Sequence, residues 1–160
     1  MLAKNCLTAA MMSVGQQHRA RLSFSHEQVR QYCELSGDAN SIHSDPEAAR
    51  RRFQDARDVV VPGGLIQIAV TGIFGAEFPG DGCMGLSFVP ERFRKPVFPG
   101  DVIDVLIEVT RIRGPVVEVD VTMSDAAGET ISTAKSKLLA PDDAYRQWWV
   151  EQGVRQGAAI

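Results

Sequence analysis

Asp38 and His43 are the two side chains of this sequence best suited to proton transfer. They lie in the polar stretch LSGDANSIH, residues 35–43. On a straight helix, side chains five positions apart would point about 140° away from each other and would not share a target. Gly37 permits a bend and Asn40 tolerates left-handed dihedral angles, so on an irregular loop the carboxylate and the imidazole can converge on one point. An ionised Asp and a neutral His are a usual pair for acid–base chemistry near neutral pH, although two such residues in a polar loop also occur simply as solvated, turn-forming side chains.

A second candidate feature is the sequence Pro62-Gly63-Gly64, which precedes a long apolar segment. Between residues 63 and 78, apolar residues recur at i, i+3, i+4, i+7, i+8 and i+11, a pattern that predicts an α-helix. The opposite face is apolar as well, so we expect the helix to be buried on nearly all sides. Free N–H groups and the positive end of the dipole at its start could stabilise negative charge on a carbonyl oxygen. A tight start to a buried helix explains the two glycines equally well.

Two helices are predicted to flank the Asp/His stretch. Ser25 and Gln28 form a capping-box pattern at the start of the first helix, and Gly37 is placed to end it. Asp45 and Pro46 suit the N-cap and the first turn of a short second helix. The Asp/His stretch is therefore expected to be a non-helical connection held by a helix at each end.

Strands are predicted in the second half of the chain, where the hydrophobic period changes to two. Short connections join them, so consecutive strands should pair in an antiparallel sheet. A buried helix followed by a sheet that can wrap it indicates an α+β fold. The predicted strands cover residues 84–88 (continuing towards 93), 103–109, 117–123 and 131–139.

The composition is typical of one soluble globular domain. The chain has 160 residues, of which 44% are hydrophobic and 23% charged, with a formal net charge of −3. This balance gives no general electrostatic case for nucleic acid, and no apolar run approaches the roughly 20 residues of a membrane span. A weak apolar stretch over residues 7–14 contains Ser13 and is not expected to act as a signal peptide. We predict a cytoplasmic protein with a single domain over residues 1–160, including an N-terminal extension, 1–16, and a helical tail, 142–160.

Cysteine and histidine usage does not favour a metal site. The three cysteines are odd in number and far apart, which is typical of reduced thiols, and no two of the three histidines stand at ligand spacing.

The Asp/His stretch resembles the signature of the MaoC-like, or hydratase 2, family. That signature reads S-G-D-x-N-P-I-H and stands here over residues 36–43, with Ser41 in place of the proline. The helix start at 62–64 reads P-G-G where many family members have H-G-M. Two further segments are similar to family motifs, namely FPG at 78–80 and RFRKPVFPGD at 92–101, and the resemblance spans about residues 20–140.

The resemblance implies a hot-dog fold, in which an antiparallel sheet wraps a long central helix, usually as a homodimer, a doubled version of one or a higher homo-oligomer. It also implies reversible hydration of an enoyl thioester, without a metal or a redox cofactor. By the same resemblance, Asp38 and His43 would hold and activate the water, and Asn40 would position Asp38 or its loop. A backbone N–H of Gly63 or Gly64 would hold the thioester oxygen.

The carrier of the acyl group is expected to be coenzyme A or an acyl carrier protein. Arg94 and Lys95 are candidates for contacting the phosphate of either carrier. A second basic cluster, residues 50–52, is interpreted as a solvated helix face.

Two other functions fit the sequence. The same site could hydrolyse a thioester or add a nucleophile other than water to the enoyl group. Alternatively, the chain could be a non-catalytic acyl-binding subunit. The presence of both Asp38 and His43 argues against this function, because a pure binding module gains little by desolvating both side chains.

Overall fold

The computed structural model of the protein describes residues 3–155. Residues 1–2 of the predicted extension and 156–160 of the predicted tail lie outside the described residues. Residues 3–155 form five strands and four α-helices, with single turns of 3-10 helix at Ala9–Met11 and Ser41–His43. The strands are β1 (Gln17–Leu22), β2 (Met84–Pro90), β3 (Ile103–Arg113), β4 (Val116–Ser124) and β5 (Thr130–Leu139). The helices are α1 (His26–Ser36), α2 (Pro46–Arg52), α3 (Gly63–Ala76) and α4 (Asp143–Arg155).

The strands form one antiparallel sheet in the order β1-β3-β4-β5-β2. The antiparallel sheet and the α+β fold class predicted from the sequence are thus confirmed. Strand β1 was not predicted, because the segment QHRARL exposes polar side chains on one face and gives only a weak apolar alternation. Strand β2 ends at Pro90 instead of running on to residue 93, since proline supplies no N–H to a sheet.

The hydrophobic core lies between the inner face of the sheet and one face of α3. Alternate side chains of β3 and β4 are fully buried, as their period-two pattern predicts. The buried residues of α3 are Leu65, Ile66, Val70, Ile73 and Phe74.

The expectation that α3 is buried on nearly all sides is wrong for the single chain. Ile68 is 51% exposed, and Thr71, Gly72 and Gly75 lie on the same open side of the helix. The physical reason is that the sheet covers only one side of α3. The side that carries Ile68, Thr71, Gly72 and Gly75 therefore remains uncovered in one chain.

Local capping signals act as predicted around the Asp/His stretch. Ser25 Oγ accepts from the backbone N–H of Gln28, and the Gln28 side chain accepts from the backbone N–H of Ser25. Gly37 ends α1 with a left-handed φ of 71°. The Asp45 side chain caps α2, with Pro46 in its first turn.

The segments around Cys6 and Tyr145 pack onto the domain near the C-terminal end of α3. Cys6 is buried and pairs with Gly80 in an isolated β-bridge, and Met12 joins the core. The Tyr145 ring of α4 lies directly against Gly82. Within residues 3–155, no helix combines the length and the apolar character needed to cross a bilayer.

Candidate active site

Asp38 and His43 face each other across the connection between α1 and α2. Asp38 Oδ2 lies 3.6 Å from His43 Nε2. The reversal that brings them together begins at Gly37, whose left-handed backbone turns the chain away from α1. Asp38 also uses its other oxygen, Oδ1, to accept the backbone N–H of Asn40 at 3.1 Å.

Asn40 shapes the turn that carries His43. Its side-chain oxygen accepts the backbone N–H of Ile42 at 3.4 Å, and its carbonyl accepts the N–H of His43 at 3.0 Å. Asn40 is thus the N-cap of the 3-10 turn Ser41–His43. The backbone of Asn40 links the two candidates, because its N–H donates to Asp38 and its carbonyl accepts from the N–H of His43.

The tautomer of His43 follows from its second hydrogen bond. Nδ1 lies 2.6 Å from the carbonyl oxygen of Val60, and a carbonyl can only accept, so Nδ1 carries the proton. In the neutral ring, Nε2 then has a free lone pair directed towards Asp38. The His43 side chain is 9% exposed and that of Asp38 is 35% exposed, so the pair lies at the edge of solvent.

An ionised Asp38 and a neutral His43 present two acceptors to one point. At 3.6 Å, the two atoms are placed to receive the two O–H groups of a single water molecule. A general base must lie within hydrogen-bonding reach of the proton that it removes, and both groups meet this condition for the same water.

The extended segment 59–61 connects the two predicted parts of the site. The N–H of Val60 donates to Ile42 O at 2.8 Å, and the N–H of Val61 donates to Val97 O at 2.8 Å. All three residues of the segment are buried. Because the segment holds His43 and continues into the start of α3, it fixes the distance between the imidazole and that helix terminus.

Gly63 and Gly64 are required by the close approach of two rings. A Cβ atom at Gly64 would lie 2.0 Å from the Tyr32 hydroxyl, and one at Gly63 would lie 2.7 Å from the Phe93 ring. The first N–H groups of an α-helix have no partner within the helix. Among the described residues, neither glycine N–H has an acceptor, and Gly63 borders a cavity.

His43 borders two cavities. An outer cleft of about 640 Å³ contains Asp38, Asn40 and the α1 side chains His26, Arg30 and Cys33. An inner cavity of about 240 Å³ joins His43 to Gly63 and is otherwise lined mainly by apolar side chains, namely Ile42, Phe53, Val60, Val61, Ile66, Phe93, Pro96 and Val97. The inner cavity therefore connects His43 to Gly63 at the helix N-terminus, whereas Asp38 borders the outer cleft.

Arg94 and Lys95, the two candidates for contacting a phosphate, differ in whether another side chain already pairs with them. Arg94 is exposed at the inner cavity and forms no ion pair with a described residue. Lys95 also borders the cavity, but its ammonium donates to both Asp125 and Glu129. These hydrogen bonds raise the pKa of Lys95, so its charge is already balanced by two carboxylates.

The remaining basic cluster, on α2, is engaged locally. Arg50 and Arg51 pair with Glu47 one turn earlier, and Arg52 lies over the Phe53 ring. This agrees with the interpretation of residues 50–52 as a solvated helix face.

Three groups at the site were not found by sequence reasoning. The Val60 carbonyl that orients His43 is a backbone group of an apolar segment, and no sequence pattern marks it. Asp58 pairs with His26 of α1, and no local sequence pattern links these two residues. Cys33 lines the outer cleft, where burial, followed by the charge of Asp38, raises the pKa of its thiol.

Comparisons with known proteins place the chain in one family. The sequence model of the MaoC like domain family matches residues 8–131. The mitochondrial 3-hydroxyacyl-[acyl-carrier-protein] dehydratase of Arabidopsis thaliana is 35% identical over 103 residues, which are 64% of this chain and 59% of that protein. The chain thus spans about three fifths of the length of this plant relative.

Bacterial hydratases are similar in both sequence and structure. The (R)-specific enoyl-CoA hydratase of Aeromonas caviae is 33% identical over 108 residues, which are 67% of this chain and 78% of that protein. The solved structure of the (R)-hydratase from A. caviae superposes with a TM-score of 0.74 at 28% identity, covering 81% of this chain and 98% of that one. This likeness confirms the predicted hot-dog fold.

Proposed function

Because the chain belongs to the MaoC-like domain family, we propose that it catalyses the reversible addition of water to a 2-enoyl thioester. Its relatives from A. caviae and A. thaliana are named a hydratase and a dehydratase, both hydro-lyases, so the predicted enzyme class agrees with the family. The observation that carries the proposal is the pair of acceptors, Asp38 Oδ2 and His43 Nε2, that face one point at the edge of solvent. The product is the 3-hydroxyacyl thioester.

In the proposed reaction, one water molecule lies between the carboxylate of Asp38 and Nε2 of His43. Its oxygen forms a bond to the β-carbon of the enoyl group while one of its protons passes to the Asp/His pair. The electron pair of the double bond moves towards the thioester carbonyl and gives an enolate. The same pair then returns a proton to the α-carbon, so that one water is added in total and the pair is regenerated.

The thioester oxygen is proposed to accept a hydrogen bond from the N–H of Gly63 or Gly64. Negative charge develops on this oxygen as the enolate forms, and a helix N-terminus stabilises such charge without reorganising. The inner cavity supports this arrangement, since it is bordered by both His43 and Gly63. No metal or redox cofactor is needed in this scheme, because the thioester itself acidifies the α-proton.

The proposed substrate carrier is coenzyme A or an acyl carrier protein. Arg94 is the basic side chain proposed to meet a phosphate of the carrier, since it is exposed and free of an ion pair among the described residues. Lys95 could take this role only by giving up its bonds to Asp125 and Glu129.

The proposed assembly is a homodimer that pairs strand β2 with its copy. β2 is at one edge of the sheet and exposes apolar side chains, of which Leu86 is 53% and Val89 61% exposed. An unpaired edge with exposed apolar residues is a template for association with another strand. The uncovered side of α3 lies beside the same edge, with a groove between them bordered by Thr71 and Leu86.

The test is hydration of crotonyl-CoA, followed by the loss of absorbance of the conjugated enoyl thioester. We expect turnover by the natural chain and a loss of at least about a hundredfold in Asp38→Asn and in His43→Ala, since general acid–base catalysis contributes about 10²–10⁴-fold. Circular dichroism would check that both variants remain folded. A surface variant, Lys137→Gln, is the control and should keep full activity.

The competing functions predict different results. Release of free thiol from a saturated acyl-CoA would indicate a thioesterase. Unchanged turnover in Asp38→Asn would contradict the proposed role of the pair. Absence of turnover on both crotonyl-CoA and the corresponding acyl carrier protein thioester would refute the hydratase proposal.

A further inference from the structure

We propose that Asp58 and His26 form a clasp that positions the Asp38/His43 pair, which makes Asp58 a positioning residue for the reaction. The inference rests on the proposed function, since it concerns the geometry of that acid–base pair. Asp58 does not line the outer cleft, and His26 lines it at the start of α1. Both act through the elements that carry the pair.

The clasp joins α1 to the segment that orients His43. His26 Nε2 lies 2.9 Å from Asp58 Oδ2, and the other carboxylate oxygen accepts the N–H of Val59 at 2.7 Å. The next residue, Val60, is the one whose carbonyl oxygen holds His43 Nδ1 at 2.6 Å. Asp58 is therefore bonded to the segment immediately before the group that fixes the tautomer of the catalytic histidine.

The other end of the clasp leads to Asp38. His26 is the first residue of α1, and the same helix ends at Gly37, directly before Asp38. An α-helix is a rigid element, so fixing its start against residue 58 also limits where its end can move. The 3.6 Å separation of Asp38 and His43 thus depends on where Asp58 holds the start of α1.

The charges around the clasp do not offer His26 or Asp58 another strong partner. Arg30, a basic side chain that lines the outer cleft, is held by Glu27 and Glu34. The remaining titratable groups that line this cleft are Cys33, Glu34, Asp38 and His43.

The clasp is not expected to contribute much stability, because the His26 side chain is 65% exposed and that of Asp58 30%. Its effect should therefore be found in catalysis. Misplacement of a catalytic group by about 1 Å can lower a rate by about a hundredfold. A partial release of α1 should lower the rate by less than that.

The chain offers a matched control in its other histidine–carboxylate pair. His18 Nε2 lies 2.9 Å from Glu77 Oε2, the same length as the clasp, with both side chains more buried at 23%. This pair lies at the C-terminal end of α3, away from Asp38 and His43. If ion pairs mattered only for overall stability, His18→Gln should cost at least as much as His26→Gln.

The experiment measures kcat and KM for crotonyl-CoA in Asp58→Asn, His26→Gln, the double variant and His18→Gln. We expect kcat to fall by about tenfold in each clasp variant, with KM changed by less than about twofold. The double variant should be no worse than either single one, since the two residues act as a unit. His18→Gln should keep the natural kcat.

A second measurement does not depend on turnover. Long-range ¹H–¹⁵N spectra of the histidine rings should show a single Nδ1–H tautomer for His43 in the natural protein and a mixture in Asp58→Asn. Natural kcat together with an unchanged His43 tautomer in Asp58→Asn would overturn the inference. Absence of turnover in the natural protein would instead count against the proposed hydration, and the ring spectra would still decide whether the clasp orients His43.

Discussion

At the scale of single residues, the site depends on which atom of each side chain is already bonded. Asp38 uses Oδ1 for the backbone of Asn40 and directs Oδ2 towards His43, whose Nδ1 is bonded to Val60. Each catalytic candidate thus has one atom that fixes its orientation and one that is free for chemistry. Such anchoring keeps the reacting atoms in place, because the side chains cannot rotate without losing a hydrogen bond.

Asn40 provides a test at this scale. Asn40→Ala removes the side-chain cap of the turn that carries His43, so we expect a loss of about 1 kcal/mol in the free energy of unfolding and a lower kcat. Asn40→Ser keeps an oxygen that can accept the N–H of Ile42 and should restore most of both. Thermal unfolding and crotonyl-CoA turnover measure the two effects, and equal activity in the Ala and Ser variants would contradict a capping role.

At the scale of elements, α1 and α3 meet at a contact that leaves no room for a side chain. The Tyr32 hydroxyl of α1 lies over Gly64 at the start of α3. The same two helices carry the two halves of the proposed site, because α1 ends before Asp38 and α3 begins with Gly63. Their packing distance therefore sets the distance between the acid–base pair and the free N–H groups.

Gly64→Ala is predicted to separate these helices. The added Cβ would lie 2.0 Å from the Tyr32 hydroxyl oxygen, so the Tyr32 side chain or one of the two helices must shift. We expect a loss of about 1–3 kcal/mol in the free energy of unfolding, as for other overpacked sites, together with a reduced kcat. Adding Tyr32→Phe removes the closest atom and should recover part of the stability. Gly72→Ala, where a Cβ meets nothing within 4 Å in the chain, is the matched control for folding in chemical denaturation.

At the C-terminal end of α3, charged hydrogen bonds to Glu77 attach the N-terminal part of the chain. Glu77 accepts hydrogen bonds from Lys4 at 2.6 Å and His18 at 2.9 Å, and these bonds lower its pKa. A depressed carboxyl pKa contributes stability above the unfolded value of 4.5, and this contribution is lost as the pH falls through the folded value.

Glu77→Gln should therefore be less stable than the natural chain at pH 7, by about 1 kcal/mol. The difference should narrow as the pH falls below 4.5 and vanish once Glu77 is protonated in the folded protein. Unfolding in urea at several pH values measures both chains. A difference that does not change between pH 7 and pH 3 would show that the Glu77 charge is not responsible.

At the scale of the whole molecule, the two edges of the sheet differ in character. Strand β1 exposes Gln17, Arg19 and Arg21, whereas β2 exposes the apolar Leu86 and Val89. Charged side chains protect an edge from pairing, while exposed apolar ones favour it. The uncovered side of α3 lies at the same end of the sheet as β2, so one contact could cover both.

We predict that Val89→Lys converts a dimer to a monomer. A charge on β2 should oppose pairing of this strand with its copy, whereas Arg19→Gln on β1 should leave the assembly unchanged. Light scattering after size-exclusion chromatography measures the mass of each variant. A monomeric natural chain, or a dimer that survives Val89→Lys, would contradict pairing through β2.

The predictability of each feature follows from how far apart its residues are in the chain. The caps at Ser25 and Asp45, the turn at Gly37 and the alternation in β3 and β4 depend on neighbouring residues, and the sequence alone determined them. The strand β1 was missed because its apolar alternation is weak and its pairing with β3 bridges about 90 residues, as in Gln17 with Glu108.

The sequence also determined which residue types could carry the chemistry, since Asp38, Asn40 and His43 lie within one short polar stretch. Only the tertiary structure decided how they are held. The acceptor of His43 lies 17 positions away, and the partner of His26 lies 32 positions away, so neither bond follows from any local pattern. Likewise, the helical periodicity predicted that α3 is apolar on nearly all sides. Which residues of α3 are covered depends on where the sheet packs against the helix. Contacts of this kind arise from the packing of distant segments, and that packing is the part of the physics that a linear pattern does not contain.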